Sequence, residues 1–328
     1  MAARYVIGLD MGGTNIRCAA VSPEGRVIVL RRAPSDAGSN ALAVTANIAA
    51  QVRKLEDAAR SRGMGAPRAI GVAVPGPLDV YSGVVMAAPH VKAWRSFPLR
   101  ARLEAELGTQ VVVENDANAW ALGEFWRGAA RGHRDVVLLT LGTGIGGGLI
   151  VGGKIVHGRS GMAGELGHII VEPGGMPCDC GSRGCVEAYA SSSGMRALVA
   201  RRLGVRKRIP PRYHDARGNF SVRAMTLAAR ANDSLALETF AIAGRYLGIA
   251  IASLLNIFNP DLVVIGGGVA GALPYMRKTM IAEVRARAFT AIASQARIVR
   301  AALGPIGGVV GAAYAAMNPA KSSSRAAV

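Results

Sequence analysis

The sequence predicts a duplicated α/β fold whose two halves face one another. Three observations carry this. A short β-rich run, a glycine turn and a second β-rich run occur at residues 5–20 and again at 136–156. Each pair is followed by a buried strand running into glycines, at 69–77 and 262–271. Between these landmarks β-rich and helix-periodic segments alternate, the pattern of sheets covered on both faces. The size agrees, since 328 residues, 51% hydrophobic and 18% charged, exceed one typical domain and suit two.

Taken in order, "YVIGLDMGG", "IRCAAVS" and "RVIVLRRA" are three β-rich runs. "NALAVTANIAAQVRKLEDAARSRG" has helical spacing, and "RAIGVAVPGPLD" is a buried strand ending in a Pro-Gly-Pro turn. "LRARLEAELG" reads as a short helix, "QVVVENDAN" as a strand and "AWALGEFWRGAARG" as a helix. The plan then restarts with "DVVLLTLGTGIGGGLIVGGKIVHG", placing the break between halves near 118–135. "DSLALETFAIAGRYLGIAIASLLNIFNP" is one long helix stopped by Asn259-Pro260, and "DLVVIGGGVAG" a buried strand ending in glycines. Both sheets are expected to be mixed and largely parallel. The small, polar "AKSSSRAAV" is expected to be a disordered tail.

Several classes are disfavoured. "MAARYVIGLDMGG" shows no cleavage pattern, and the apolar run "YLGIAIASLL" is about half the length of a bilayer span. Four cysteines do not make a secreted disulfide framework. A cytoplasmic protein with no membrane partner is the expectation. The net charge of +18 favours anionic partners. The basic residues are scattered, however, aromatic residues are only 5%, and no helix-turn-helix precedes the first strand, so nucleic acid is not the expected partner. The basic stretch "RRLGVRKRIPPRYHDAR" (201–217) reads as a surface loop, with a lid or partner-binding segment as the alternative.

The chemistry starts at the glycines. In "DMGGTN", Asp10 precedes Gly12, Gly13 and Thr14; in "LGTGIGGG", Thr143 sits between Gly142 and Gly144. Such turns let backbone N–H groups converge on a phosphate, and a hydroxyl beside them adds a donor. Plain hairpins are the alternative, but two matching turns, each with Thr, favour phosphate. Neither is a Walker loop, because the lysine is missing. Asp116 ends the apolar strand of "VVVENDANAW", where ligands collect in α/β sheets. It reads equally as a base that takes the proton of a substrate hydroxyl or as a helix N-cap.

Together "GLDMGGTN", "ENDANAWALGE", "LGTGIGGGLIVGGKI", "GMAGELGH", "CDCGSRGCVEAYAS" and "NPDLVVIGGGV" resemble the ROK family of sugar kinases and related repressors, in order from about residue 5 to 315. The resemblance implies an actin-like ATPase (ribonuclease H-like) fold, two facing α/β domains closing over a hexose and ATP. The smaller domain would span 1–118, the larger 119–304 with a zinc loop at 168–185, and a helix at about 305–317 would return to the first, ahead of the tail 319–328. The resemblance places the ATP phosphates on Asp10, Gly12, Gly13, Thr14, Gly142, Thr143 and Gly144, with Mg²⁺ near Asp10. Gly267 and Gly268 border adenine and ribose. The sugar falls to Pro75, Gly76, Asn115, Asp116, Glu165, His168 and Glu187, with Asp116 as base for the 6-hydroxyl. The implied activity is an ATP-dependent hexokinase acting first on glucose, with N-acetylglucosamine, mannose or fructose as alternatives, or a non-catalytic sugar-sensing regulator. A homodimer is implied as well. One departure stands out: "APHVKAWRSFPL" carries His90 where the family commonly has Asn.

His168, Cys178, Cys180 and Cys185 are three thiolates and an imidazole, the ligand set of a closed structural Zn²⁺ site. Buried free cysteines or a disulfide are the alternatives. Glu165 and His168, at i and i+3, share one face of a helical turn, so zinc on one ring nitrogen leaves the other for a sugar hydroxyl. Cys18, in an apolar run, reads as core.

Overall fold

The computed structural model describes residues 4–88, 91–204 and 208–320. His90, residues 205–207 of the basic stretch and residues 321–328 of the tail lie outside them.

Short glycine turns can be closed only by an antiparallel return, and this sets the opening of each half. β1 (Val6–Met11) pairs antiparallel with β2 (Asn15–Val21), which pairs antiparallel with β3 (Val27–Pro34). The chain crosses over through α1 (Ala41–Arg60), where Asn40 caps by accepting the Ala43 N–H, and re-enters as β4 (Ile70–Val74) parallel to β1. Three short strands, β5 (Leu78–Asp79), β6 (Val84–Ala87) and β7 (Arg95–Phe97), form a small separate sheet. α2 (Leu99–Leu107) then leads to β8 (Val111–Asn115), parallel to β4. The first sheet runs β3-β2-β1-β4-β8.

α3 (Asp116–Arg127) leads into the second half. Its sheet is built from β9 (Val136–Leu141), β10 (Ile145–Val151) and β11 (Lys154–Ile155). A helical stretch follows: α4 (Glu187–Ala190), α5 (Ser192–Leu203), α6 (Val222–Arg230) and α7 (Ser234–Phe258). The chain finishes with β12 (Leu262–Gly266), α8 (Leu273–Arg287), α9 (Thr290–Gln295), β13 (Ile298–Arg300) and α10 (Gly307–Met317). The order β11-β10-β9-β12-β13 repeats the first sheet strand for strand. β9 pairs antiparallel with β10 and parallel with β12, and β12 runs parallel to β13. Each sheet thus holds equal numbers of antiparallel and parallel pairings, which corrects the largely parallel expectation: the two hairpins of each half account for the antiparallel share.

The apolar run of ten residues is the heart of a 25-residue helix, α7, capped by Asp233 and ended by Asn259 at φ 41° before Pro260. It is long and apolar enough to cross a membrane, yet more than half of that stretch is buried inside the protein. Gly244 and Gly248 let it lie against α8 so closely that a Cβ on either would overlap a carbonyl of Met276 or Met280.

α10 comes from the far end of the chain and packs on the first sheet, against β1 and β4, with α3 on its other side. The fit depends on missing side chains. A Cβ on Gly8 or Gly71 would overlap the carbonyls of Val309 or Ala312, and one on Gly311 the carbonyl of Ala119. Backbone lies on backbone at these glycines, while Val309 and Ala313 pack on Val6, Ala19 and Val21.

Candidate active site

Asn115 and Asp116 divide the work at the end of β8. The Asn115 side-chain oxygen accepts the N–H groups of Ala117 (2.9 Å) and Asn118 (3.1 Å), so Asn115 is the cap of α3. Asp116 occupies the first helical position, with one oxygen accepting the Ala117 N–H at 2.9 Å. The Asn115 amide nitrogen donates to the Gly76 carbonyl (3.3 Å), joining the Pro75–Gly76 turn to the same point. Asn115 therefore keeps one amide hydrogen for a ligand.

Three carboxylates from separate elements gather here: Asp116 on α3, Asp10 on β1 and Glu165 in the loop after β11. Burial pushes Asp116 up to about 7, and the nearby charges of Asp10 and Glu165 add to the rise. Burial also pushes Asp10 up to about 6, against the pull of Arg17 at 4.0 Å. A carboxyl poised near neutrality beside a place for a hydroxyl is suited to accepting a proton.

Behind this strand end lies a pair that sequence reasoning missed. Glu114 Oε2 sits 2.7 Å from His157 Nε2, with side-chain exposures of only 4% and 9%. The other Glu114 oxygen accepts the Asn115 N–H (2.9 Å) and the Asn118 side-chain amide (3.1 Å). One carboxylate thus braces residues on both sides of Asp116. The available signal was a Glu in an otherwise apolar strand, which demands a partner when buried. Glu124 was missed in the same way: fully buried on α3, it accepts the N–H groups of Ala129 (2.7 Å), Ala302 (3.0 Å) and Leu303 (2.8 Å). It holds the loop that leads into α10.

The two glycine turns are related in detail. Gly12 N–H donates to Asn15 O and Gly142 N–H to Gly144 O, both at 2.9 Å. Thr14 and Thr143 are exposed at their tips, and Gly13 lies exposed between Gly12 and Thr14. A Cβ at Gly12 or Gly142 would meet only the turn's own carbonyl, at 3.7 and 3.8 Å, so it would project into open space beside the backbone donors. At the end of β12, Gly267 has φ 86° and no room for a Cβ beside Leu141, whereas a Cβ on Gly268 would meet nothing within 4 Å. Asp10 faces the start of α10, with its carboxyl 2.7 Å from where a Gly308 Cβ would stand.

The four expected metal ligands converge. Cys178, Cys180 and Cys185 Sγ and a His168 ring nitrogen all lie within 4.8 Å of one another. Cys180 Sγ and Cys185 Sγ are 3.7 Å apart, and Cys178 Sγ is 3.7 Å from His168 Nδ1. A tetrahedron with metal–sulfur bonds of about 2.3 Å has edges of about 3.8 Å, so the donor set fits Zn²⁺. The sulfurs stand too far apart for a disulfide, and an exposed Cys180 is not a core thiol. Burial pushes the Cys178 thiol up to about 12, a cost that a bound cation reverses.

With Nδ1 turned to sulfur, His168 Nε2 points towards Glu165, 3.9 Å from its Oε2. Glu187, at the start of α4, has one oxygen accepting the Ile145 N–H (2.7 Å) and the other 3.6 Å from Cys178 Sγ. It ties the second glycine turn to the cysteine loop, so only part of its hydrogen-bonding capacity remains for a sugar.

Two repeated sheets, a glycine turn on each and a carboxylate between them define a nucleotide-dependent, two-lobed protein of the actin-like ATPase fold. The ROK family profile matches residues 6–318, and the chain belongs to that family. It is 37% identical to a glucokinase of Halalkalibacterium halodurans over 96% of this chain and 95% of that one. A ROK family glucokinase from Streptomyces griseus, solved in complex with glucose and AMPPNP, superposes with a TM-score of 0.77 at 34% identity, covering 96% of this chain and 99% of that one. A ROK family transcriptional regulator superposes with a TM-score of 0.82 at 26% identity, but 95% of this chain covers only 77% of that one.

Proposed function

We propose that this protein transfers the γ-phosphoryl group of ATP to the 6-hydroxyl of a hexose, with glucose as the first acceptor. The observation that carries this reading is Asp116, relieved of capping by Asn115 and set among the turns and carboxylates described above. Thr14, Thr143 and the flanking backbone N–H groups would hold the phosphates, and Gly267 and Gly268 would border the nucleoside. Asn115, Glu165 and His168 Nε2 would take sugar hydroxyls, with Glu187 and the Pro75–Gly76 turn completing the pocket. Asp116 would then accept the 6-hydroxyl proton as that oxygen attacks phosphorus in line.

Asp10, buried with Arg17 at 4.0 Å as its one ion-pair partner among the described residues, fits a divalent cation carried in with ATP. Asp10 would hold such an ion, which would supply charge neutralisation to the phosphate oxygens. The cysteine loop would hold zinc structurally, fixing the His168 ring for the sugar without touching phosphate. The reading extends to two lobes, 1–118 with α10 and 119–304, in a cytoplasmic homodimer that feeds glycolysis.

The test is a coupled ADP-release assay with MgATP over a panel of hexoses and their N-acetyl derivatives, with Asp116→Asn as control. Turnover on one sugar, lost in the variant, supports the reading and names the acceptor. Silence across the panel with folded protein overturns it. The likeness to the transcriptional regulator and the charge of +18 then make salt-dependent duplex DNA binding the next measurement.

A further inference from the structure

The kinase reading leaves most of the positive charge without a task, and part of that charge converges. A cavity of about 720 Å³ lies between the cysteine loop, the end of α5 and the middle of α7, and its lining includes none of Asp116, Glu165, His168 and Glu187. Four arginines line it: Arg183 from the loop, Arg201 and Arg202 from α5, and Arg245 from α7. The one acidic residue in the lining among the described residues, Glu172, accepts the Tyr246 hydroxyl at 3.1 Å. The wall thus carries a formal excess of positive charge. Arg202 and Arg245 are steadied by Glu238 and Glu283, at 3.1 and 3.2 Å. Among the described residues, Arg183 and Arg201 have no carboxylate within 4.0 Å. Tyr246 adds a flat surface: its ring stacks on that of Tyr189 with centroids 3.8 Å apart, and the Arg245 guanidinium lies 5.8 Å from its centre.

We propose that this cavity binds a phosphorylated small molecule of sugar size, as its dianion, at a site separate from the catalytic cleft. The volume falls within the range of small-ligand sites, about 300–1,000 Å³. Guanidinium groups suit phosphate through paired, charge-assisted hydrogen bonds. The stacked Tyr189 and Tyr246 rings back this wall beside Arg245, so the site rests on its arginines. It also accounts for the first two arginines of the basic stretch, Arg201 and Arg202.

The cavity is wired to the sugar pocket. The Tyr189 hydroxyl accepts the Met176 N–H at 2.8 Å, and Tyr189 stands two residues after Glu187 on α4. Met176 O in turn accepts the Gly184 N–H at 2.8 Å, next to Cys185. An anion drawn between the loop and α5 therefore acts on the segment that positions His168 and Glu187, and changes the KM for sugar. That last effect rests on the kinase reading; the binding itself does not.

The experiment is calorimetric titration of the full chain with glucose 6-phosphate, inorganic phosphate as a second arm, and an Arg183→Ala/Arg201→Ala double variant. Both side chains are exposed, and circular dichroism checks that the variant keeps its fold. The wild type is expected to bind glucose 6-phosphate at least tenfold more tightly than the variant does, and more tightly than it binds inorganic phosphate. Equal binding by wild type and variant would place the ligand in the cleft and overturn the proposal. So would inorganic phosphate binding as well as glucose 6-phosphate, or a change of oligomeric state in the variant with binding intact, which would mark the arginines as a subunit contact. Failure of the kinase reading would show instead as silence in the sugar panel, with this binding difference untouched.

Discussion

Replacing Asp116 with Asn keeps the side chain's shape and an oxygen for the Ala117 N–H, and removes only the proton acceptor. Positioned acid–base groups contribute about 10²–10⁴-fold, so turnover should fall at least about 100-fold with little change in sugar binding. In the wild type, kcat/KM should fall as pH drops below about 7, where Asp116 takes up its proton. Stability should move the other way. A carboxyl raised from 3.8 to about 7 binds its proton more tightly folded than unfolded. Across that window the folded state holds more protons, so rising pH removes stability, and the full cost of the charge is present above it. Taken whole, that displacement is worth about 4 kcal/mol. Asp116 as a residue keeps partial contact with water, and screening leaves about 1–2 kcal/mol. Asp116→Asn should therefore melt about 2–4 °C higher than wild type at pH 8, with the gap shrinking severalfold at pH 4.5. Scanning calorimetry at the two pH values, beside the ADP-release assay, reads both effects. Near-normal turnover would remove Asp116 from the base role, and a variant melting below wild type at pH 8 would refute the account of its charge.

Three further outcomes are expected. Cys180→Ser should lower metal content, measured by mass spectrometry, and raise the sugar KM by more than that of ATP; unchanged values for both would separate the cluster from the pocket. His157→Phe strands the Glu114 carboxylate in a nearly sealed site and should cost about 3–5 kcal/mol in denaturant unfolding, whereas a cost below 1 kcal/mol would mean the pair is solvated. Gly71→Ala drives a methyl into the Ala312 carbonyl and should cost about 1–3 kcal/mol or more by overpacking; a neutral result would mean that α10 can shift outward freely.

The repeated hairpins, the strand that leads to Asp116 and the clustering of His168, Cys178, Cys180 and Cys185 were legible because each depends on neighbours within about twenty residues. Local chemistry leaves local traces: glycines where donors must face outward, Asn and Pro where α7 must stop. What stayed hidden depends on distance in the chain. Asn115 and Asp116 are both good caps, and only their placement against Gly76 and the carboxylates separates their tasks. His157 lies 43 residues from Glu114, and nothing near either one announces the pair. The small sheet of β5, β6 and β7 has strands of two to four residues, too short for any periodicity. The Arg cavity gathers residues from a loop and two helices, which in the sequence read as scattered charge.

The closeness of α10 to β1 and β4 also orders events in time. The groove it fills is floored by Gly8 and Gly71 with Val6, Ala19, Val21 and Ala73, and its occupant is made long after that floor. At about 5–20 residues per second, the roughly 190 residues between β8 and α10 take about 10–40 s to emerge from the ribosome. Throughout that interval the first sheet stands on the nascent chain with one apolar face unclosed. The second half can fold while the first still waits for its last helix. Escape from aggregation in the cell would then hinge on how well a chaperone shields that one open face.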